Sequence, residues 1–153
     1  MSASSDERVC PSDEQAVVGK ATPDKFATIR LPPERTIVAP DGSDVRVLLG
    51  LNSGGMAHFE LGAGKVSVAI SHRTVEEIWF VVAGRGQMWR KQGACEETVS
   101  LEPGVCLTIP QGTHFQFRAS NTEAISAIGV TMPPWPGDAE AVPVDGPWQA
   151  SES

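Results

Sequence analysis

The sequence predicts an all-β protein, a sandwich or barrel of short strands forming a single domain. Ten short apolar-rich segments follow one another at close, even spacing, and turn residues separate them. No stretch keeps a helical period over three turns. A chain of 153 residues has enough length for one core, and we find no internal repeat. One compact sheet system is therefore expected.

The predicted strands lie between residues 36 and 132. In chain order they are TIVAP, DVRVLLGL, MAHFEL, KVSVAI, EEIWFVV, GQMWRK, ETVSL, VCLTIP, HFQFRA and AISAIGVTM. Alternation is clearest in HFQFRA, where Phe115 and Phe117 alternate with polar side chains. Such a strand has one face that packs in the core and one face that is exposed to solvent or belongs to a functional site.

The two ends of the chain differ from this pattern. Residues 1–25 are rich in Ser, Asp, Glu and Pro and bury little, so we expect a flexible arm. Residues 133–153 carry five prolines, which rules out an interior strand. We expect an extended strap there, held on the barrel or on a neighbouring subunit by Trp135 and Trp148. The barrel itself is predicted over residues 26–132.

Charge and cysteine content exclude several classes of protein. The chain has 12 Lys and Arg against 19 Asp and Glu, a net charge of -7, so it repels phosphate backbones and anionic bilayers. We expect neither a nucleic-acid nor a membrane partner. No leader or spanning segment is visible, which favours a cytoplasmic protein. Cys10, Cys95 and Cys106 are widely spaced and are expected to be free thiols.

A histidine and a glutamate stand at fixed intervals between two glycines in the middle of the chain. The spacing reads G-x5-I-x-H-x4-E-x6-G over residues 64–84, with the histidine at position 72 and the glutamate at 77. This resembles the first sequence motif of the cupins, in which a His-x-His pair precedes the glutamate. Ile70 occupies the position of the first histidine of that pair.

A second cupin-like segment follows as G-x5-P-x-G-x-H over residues 104–114. The family pattern has two residues between the last glycine and the histidine, whereas His114 follows Gly112 after one. A slip of one residue turns a strand side chain to the other face unless a bulge absorbs it. The resemblance extends from about Val45 to Met132. It implies a double-stranded β-helix, the cupin jelly-roll barrel, and a homodimer of the kind that small cupins form.

The sequence predicts a metal site built from His72, Glu77 and His114, which would also be the catalytic residues. Two imidazoles and one carboxylate suit Fe, Mn, Ni, Cu or Zn and leave positions open for chemistry. Because Ile70 replaces a family ligand, a barrel without a metal is the alternative. In that case His72 or His114 would serve as a general base.

Other side chains are candidates for binding a substrate. Trp79 shares the strand face of Glu77 and would give the pocket a flat apolar wall. His58 is a rival ligand if it faces the barrel interior, and a surface residue otherwise. Three further residues are suited to orient a carboxylate or hydroxyl, unless they form a surface face: Arg90, Gln116 and Arg118.

Three functions fit these residues. The first is a metal-dependent enzyme acting on a small oxygenated or carboxylated molecule, of dioxygenase, decarboxylase, lyase or isomerase type. The second is a metal-free cupin with cofactorless isomerase, epimerase or cyclase-like activity. The chain has no tyrosine, which weakens the sugar-epimerase version, because the cupins of that kind pair a histidine with a tyrosine. The third is a module that binds a small molecule without chemistry.

Overall fold

The protein consists of two facing antiparallel sheets, as seen in a computed structural model that describes residues 25–151. Almost all of the predicted N-terminal arm lies outside the described residues, as does Cys10. The strands are β1 (Ile37–Val38), β2 (Asp44–Leu51), β3 (Gly54–Leu61), β4 (Ile70–His72), β5 (Glu76–Ala83), β6 (Gly86–Gln92), β7 (Cys95–Leu101), β8 (Cys106–Ile109), β9 (His114–Ala119), β10 (Ile125–Met132) and β11 (Ala141–Pro143). The predicted all-β fold class is confirmed.

Strands that follow one another in the chain mostly lie in different sheets. One sheet has the order β1-β2-β3-β10-β5-β8, and the other has the order β11-β4-β9-β6-β7. The segment KVSVAI differs from its prediction. It runs extended with a single bridge from Val66 to Arg118, and only Ile70 enters β4. Its remaining contacts are irregular hydrogen bonds, such as those from Ser67 to Phe117 and from Val68 to Asp41.

The core lies between the sheets, and alternation along the strands selects the side chains that enter it. In β5, Glu77, Trp79 and Val81 point inward and are buried, while Glu76, Ile78 and Phe80 are exposed. Phe115 and Phe117 meet this layer from β9, and the ring of Phe117 contacts Trp79 edge-on at 5.0 Å. Interdigitation of the two inner faces buries these side chains and holds the sheets together.

The C-terminal strap lies against the barrel. A 3-10 helix, Asp138–Glu140, leads into β11, which pairs with β4 at the sheet edge, where a proline such as Pro143 is tolerated. Further along, the strap crosses the outer face of β9. There the Trp148 ring lies 4.1 Å from the Arg118 guanidinium carbon, and Gln116 binds the backbone of Trp148.

Cys106 illustrates how alternation decides exposure. Its position in an apolar run suggests a buried side chain, but in β8 it is Leu107 and Ile109 that point inward. Cys106 and Cys95 are exposed free thiols. Within residues 25–151, no helix has the length and apolar character needed to cross a membrane.

Candidate functional site

A cavity of about 250 Å³ opens between the sheets beside β2, β4 and β5. Its wall is mainly apolar, with a few polar groups that converge on one region. The lining residues are Ile37, Ala39, Pro40, Asp41, Val45, Val47, Leu48, Leu49, Gly50, Gly55, Met56, Ala57, Phe59, Ile70, His72, Glu77, Trp79, Phe115, Thr131, Pro134 and Trp135. An apolar pocket with a few convergent polar groups is the usual form of a small-molecule site.

His72 and Glu77 are brought together in this cavity. His72 ends β4 and Glu77 lies near the start of β5, and both side chains are buried. The His72 Nδ1 atom lies 3.6 Å from Glu77 Oε2, too far for a direct hydrogen bond. The other carboxyl oxygen, Oε1, accepts a 2.8 Å hydrogen bond from Nε1 of Trp79. The carboxyl group is therefore fixed on one side and open on the other.

Burial makes both groups uncharged near neutral pH. Desolvation raises the pKa of Glu77 to about 8, although the Trp79 hydrogen bond opposes this rise. Desolvation also lowers the pKa of His72 to about 4, against the pull of nearby Glu140. Glu77 is thus mainly a carboxylic acid at pH 7, and His72 is a neutral imidazole. Opposite shifts of this kind are typical of functional sites.

Aromatic rings hold the imidazole in place. Phe115 and Trp135 both contact the His72 ring edge-on, with centroids at 5.1 and 5.2 Å. The Nδ1 atom of His72 is nevertheless buried without a hydrogen-bond partner among the described residues. A buried polar atom without a partner is costly, so this atom is suited to bind a ligand in the cavity.

Gly129 makes room for the carboxyl group. It lies on β10, opposite Trp79 of β5. A Cβ atom at this position would lie 2.5 Å from the Phe59 ring and 3.1 Å from Glu77 Oε1. Phe59 in turn stacks on Trp79 at 5.0 Å. The absence of a side chain at this position therefore allows the aromatic pair and the glutamate to pack together.

The predicted three-ligand metal site is not assembled. His114 is half-buried on β9, and its neighbour Phe115 lines the cavity, so alternation turns His114 to the opposite face. The one-residue difference in the second motif, between Gly112 and His114, predicts this change of face. Within residues 25–151 no group of three His, Cys, Asp or Glu side chains is placed to hold a metal ion. Of the three predicted ligands only His72 and Glu77 line the cavity, so the predicted set is incomplete and does not fit the predicted ion.

His58 is also outside the cavity. It alternates with Ala57 and Phe59, which line the cavity, and it lies beside Arg46 of β2 on the outer face. The side chain is buried there, and its Nδ1 atom has no partner in the described part of the chain. Desolvation is the main reason that its pKa is lowered, with Arg46 as the second cause. It cannot serve as a fourth ligand beside His72.

The polar residues predicted to orient a substrate are used in other contacts. Arg90 binds the Thr108 carbonyl and the Glu97 carboxylate. Gln116 bonds to Ser67 and to the strap, and Arg118 binds Gln87 as well as Trp148. None of the three lines the cavity. Trp79 does line it, as the predicted apolar wall.

Sequence reasoning missed a buried carboxylate that positions the His72 loop. Glu140 of the strap accepts hydrogen bonds from the backbone N–H groups of Thr74 and Val75 and from the Thr74 hydroxyl. Its burial acts to raise its pKa, but these hydrogen bonds and His72 lower it overall. No local sequence pattern indicates Glu140, because its hydrogen-bond partner Thr74 lies 66 residues away in the chain.

Comparison with known proteins agrees with this architecture. No family model and no curated protein matches the sequence. Among solved structures, the chain is similar to an uncharacterized Klebsiella pneumoniae protein with a double-stranded β-helix domain (TM-score 0.61, 15% identity, 80% of this chain and 100% of that one). It is also similar to a predicted oxalate decarboxylase of Thermotoga maritima (0.52, 16%, 60% and 80%) and to the Cnp3 cupin domain of Schizosaccharomyces pombe (0.54, 12%, 60% and 61%).

These likenesses define the class of fold. The chain has the cupin fold, a double-stranded β-helix, which confirms the resemblance seen in its two sequence motifs.

Proposed function

We propose that this protein is a proton-transfer enzyme of isomerase type, acting without a metal on a small, largely apolar carbonyl compound. One observation carries the proposal: a neutral carboxylic acid, Glu77, and a neutral imidazole, His72, face each other across 3.6 Å in an apolar cavity. This is the cofactorless form of cupin chemistry that the sequence left open.

The pair is suited to hold one oxygen atom. Two donors 3.6 Å apart both reach an acceptor that lies about 2.8 Å from each of them. The protonated Oε2 of Glu77 and the Nδ1–H tautomer of His72 would supply those donors. Removal of a proton next to a carbonyl puts negative charge on its oxygen, and fixed donors in a dry site stabilise that charge strongly. Trp79 fixes the acid, and the rings around His72 fix the imidazole.

The cavity wall selects against anionic substrates. None of its lining residues is Lys or Arg, and its ionisable groups other than His72 are the carboxyls of Asp41 and Glu77. A substrate carboxylate would be desolvated there without a cation to pair with it. We therefore propose a neutral ketone or related carbonyl compound, in place of the carboxylated molecule expected from the sequence.

The test uses 3-cyclohexen-1-one, whose conversion to 2-cyclohexen-1-one is followed by the absorbance of the conjugated product. We expect turnover that EDTA leaves unchanged and that falls about 10²- to 10³-fold in Glu77→Leu and His72→Leu. His114→Ala, on the other face of β9, is the control and should keep full activity. Loss of activity with EDTA would restore the metal-dependent function. Binding of the probe without turnover would favour the non-catalytic module.

We also propose that the partner is a second copy of the chain. Every large exposed hydrophobic side chain among residues 25–151 lies on the six-stranded sheet or on the segment before it. On the outer face of this sheet, Met56, Ile78, Phe80 and Val82 are exposed and form a patch that we call the apolar face. Phe26, Ile29 and Leu31, in the segment before β1, are exposed as well. An exposed apolar surface of this kind is typical of a protein–protein contact site.

A further inference from the structure

Asp41 is a buried carboxyl group that lines the same cavity as Glu77 and His72. The proposed function gives it no role so far. It lies in the turn between β1 and β2, is 5% exposed, and lines the cavity together with Glu77. The sequence PDGS reads only as a hairpin turn, so nothing in it marks this side chain.

The turn fixes the orientation of this carboxyl group. Gly42 donates a backbone hydrogen bond to Ala39, and Gly42 takes a positive φ of 92° that favours glycine. The Oδ1 atom of Asp41 accepts from both the backbone N–H and the hydroxyl of Ser43, at 2.9 and 2.6 Å. The Asp41 carbonyl accepts from Val68. Among the described residues no hydrogen bond is made to Oδ2, which leaves that oxygen for a ligand in the cavity.

We infer that Asp41 is the catalytic base that moves the proton of a substrate held by Glu77 and His72. This inference rests on the proposed function and adds to it the group that the reaction requires. Oδ2 takes the proton from the carbon next to the carbonyl. The C–H electron pair forms a C=C bond, and negative charge passes to the oxygen held by the two donors.

The second half of the step restores the enzyme. With a β,γ-unsaturated ketone, the intermediate is a dienolate, and Asp41 returns the same proton to the γ carbon as the electron pair reforms the C=O bond. The product is the conjugated ketone, and no co-reactant is consumed. Base and acid are thus one carboxyl group, which suits a cavity with so few polar groups.

The surroundings of the two carboxyls agree with different roles. Two hydrogen bonds from Ser43 favour the charged form of Asp41 and oppose the rise in its pKa that burial causes. The charge on Asp41 also adds to the causes that raise the pKa of Glu77. Burial still raises the pKa of Asp41 overall, but its carboxyl group accepts two hydrogen bonds that favour the charged form, whereas that of Glu77 accepts one.

The test compares the wild type with Asp41→Asn, Glu77→Leu and Ser43→Ala. Solvent deuterium exchange into cyclohexanone requires both the base and the oxygen-binding pair, whereas phenol binding, observed by NMR titration, reports the pair by itself. For Asp41→Asn we expect exchange to fall at least 10²-fold while phenol affinity stays within twofold. Glu77→Leu should lose both. Ser43→Ala keeps the carboxyl and should lose less than tenfold in exchange.

The outcomes separate the two proposals. Exchange that survives Asp41→Asn overturns the role of Asp41, and the proposed function then stands if Glu77→Leu still abolishes turnover. Loss of phenol binding in Asp41→Asn also overturns it, because a structural role then explains the effect. If wild-type phenol binding does not depend on Glu77 and His72, the proposed function fails, whatever Asp41 does.

Discussion

The indole Nε1–H of Trp79 donates a 2.8 Å hydrogen bond to Oε1 of Glu77, two residues away on the same strand. The two side chains share the inner face of β5, so the strand itself builds the contact. This hydrogen bond favours the ionised form of a carboxyl group that burial holds in its acid form.

Trp79→Phe should therefore raise the pKa of Glu77 above its value of about 8. Phenylalanine keeps a ring beside Phe59 but removes the donor, and the lost hydrogen bond should cost about 1 kcal/mol of stability. Carboxyl ¹³C NMR across a pH titration measures the shift. Trp89→Phe is the matched control, because Trp89 donates in the same way to Glu96 on the other sheet. A Glu77 pKa that is unchanged in Trp79→Phe would contradict the assignment.

Glu77 should make the protein less stable as the pH rises from about 4.5 to 8. The folded state retains a proton up to a pKa of about 8, whereas the unfolded chain releases it near 4.5, so the proton is lost from the unfolded state first. Stability attributable to Glu77 falls through this window and is level above it. Urea midpoints at several pH values measure the trend. Glu77→Gln should remove it, and an unchanged slope in that variant would refute the shift.

His72 should act in the opposite sense at lower pH. Its folded pKa of about 4 lies below the unfolded value of 6.5, so unfolding takes up a proton between these values. The stability contributed by keeping His72 neutral is present above pH 6.5 and is lost as the pH falls toward 4. His72→Gln should show a weaker loss than the wild type in urea titrations over this range. Equal slopes in His72→Gln and wild type would show that His72 is not the group responsible.

Gly129→Ala should disturb the site and destabilise the fold. The added methyl group would meet the Phe59 ring, Glu77 and Trp79, and overpacking of this kind costs about 1–3 kcal/mol. Gly55→Ala is the control, because a Cβ atom there meets nothing within 4 Å and Gly55 lies on the paired strand β3. Thermal unfolding of the two variants gives the comparison. Equal melting temperatures would show that the glycine is not required for packing.

Phe80→Glu should separate a dimer into monomers, because it places a charge in the centre of the apolar face. Sedimentation equilibrium of the full chain measures the change. Thr98→Glu, at an exposed position of β7 on the other sheet, should leave the dimer intact. A wild-type monomer at all concentrations, or a dimer that tolerates Phe80→Glu, would contradict the proposed partner.

Much of the fold follows from local patterns that the sequence displays. Alternation in EEIWFVV and HFQFRA identifies which side chains point inward, and turn residues separate the strands. All ten predicted segments take part in the sheets, although KVSVAI contributes only one residue to a strand proper. The resemblance of the motif spacing to the cupins indicates His72 and Glu77 as a pair as well, and one short loop connects their strands.

The rest depended on contacts between distant parts of the chain. The opposite sheet packs on one face of β9, the face that carries Phe115, and His114 therefore lies on the other face. Asp41, Trp135 and Glu140 approach His72 and Glu77 only after the hairpin turn and the strap have packed. The sequence by itself determined the strands, their inner faces and one acid–imidazole pair. Only the tertiary structure decided which charges share the cavity and whether they ionise, because desolvation depends on all the atoms that surround a group.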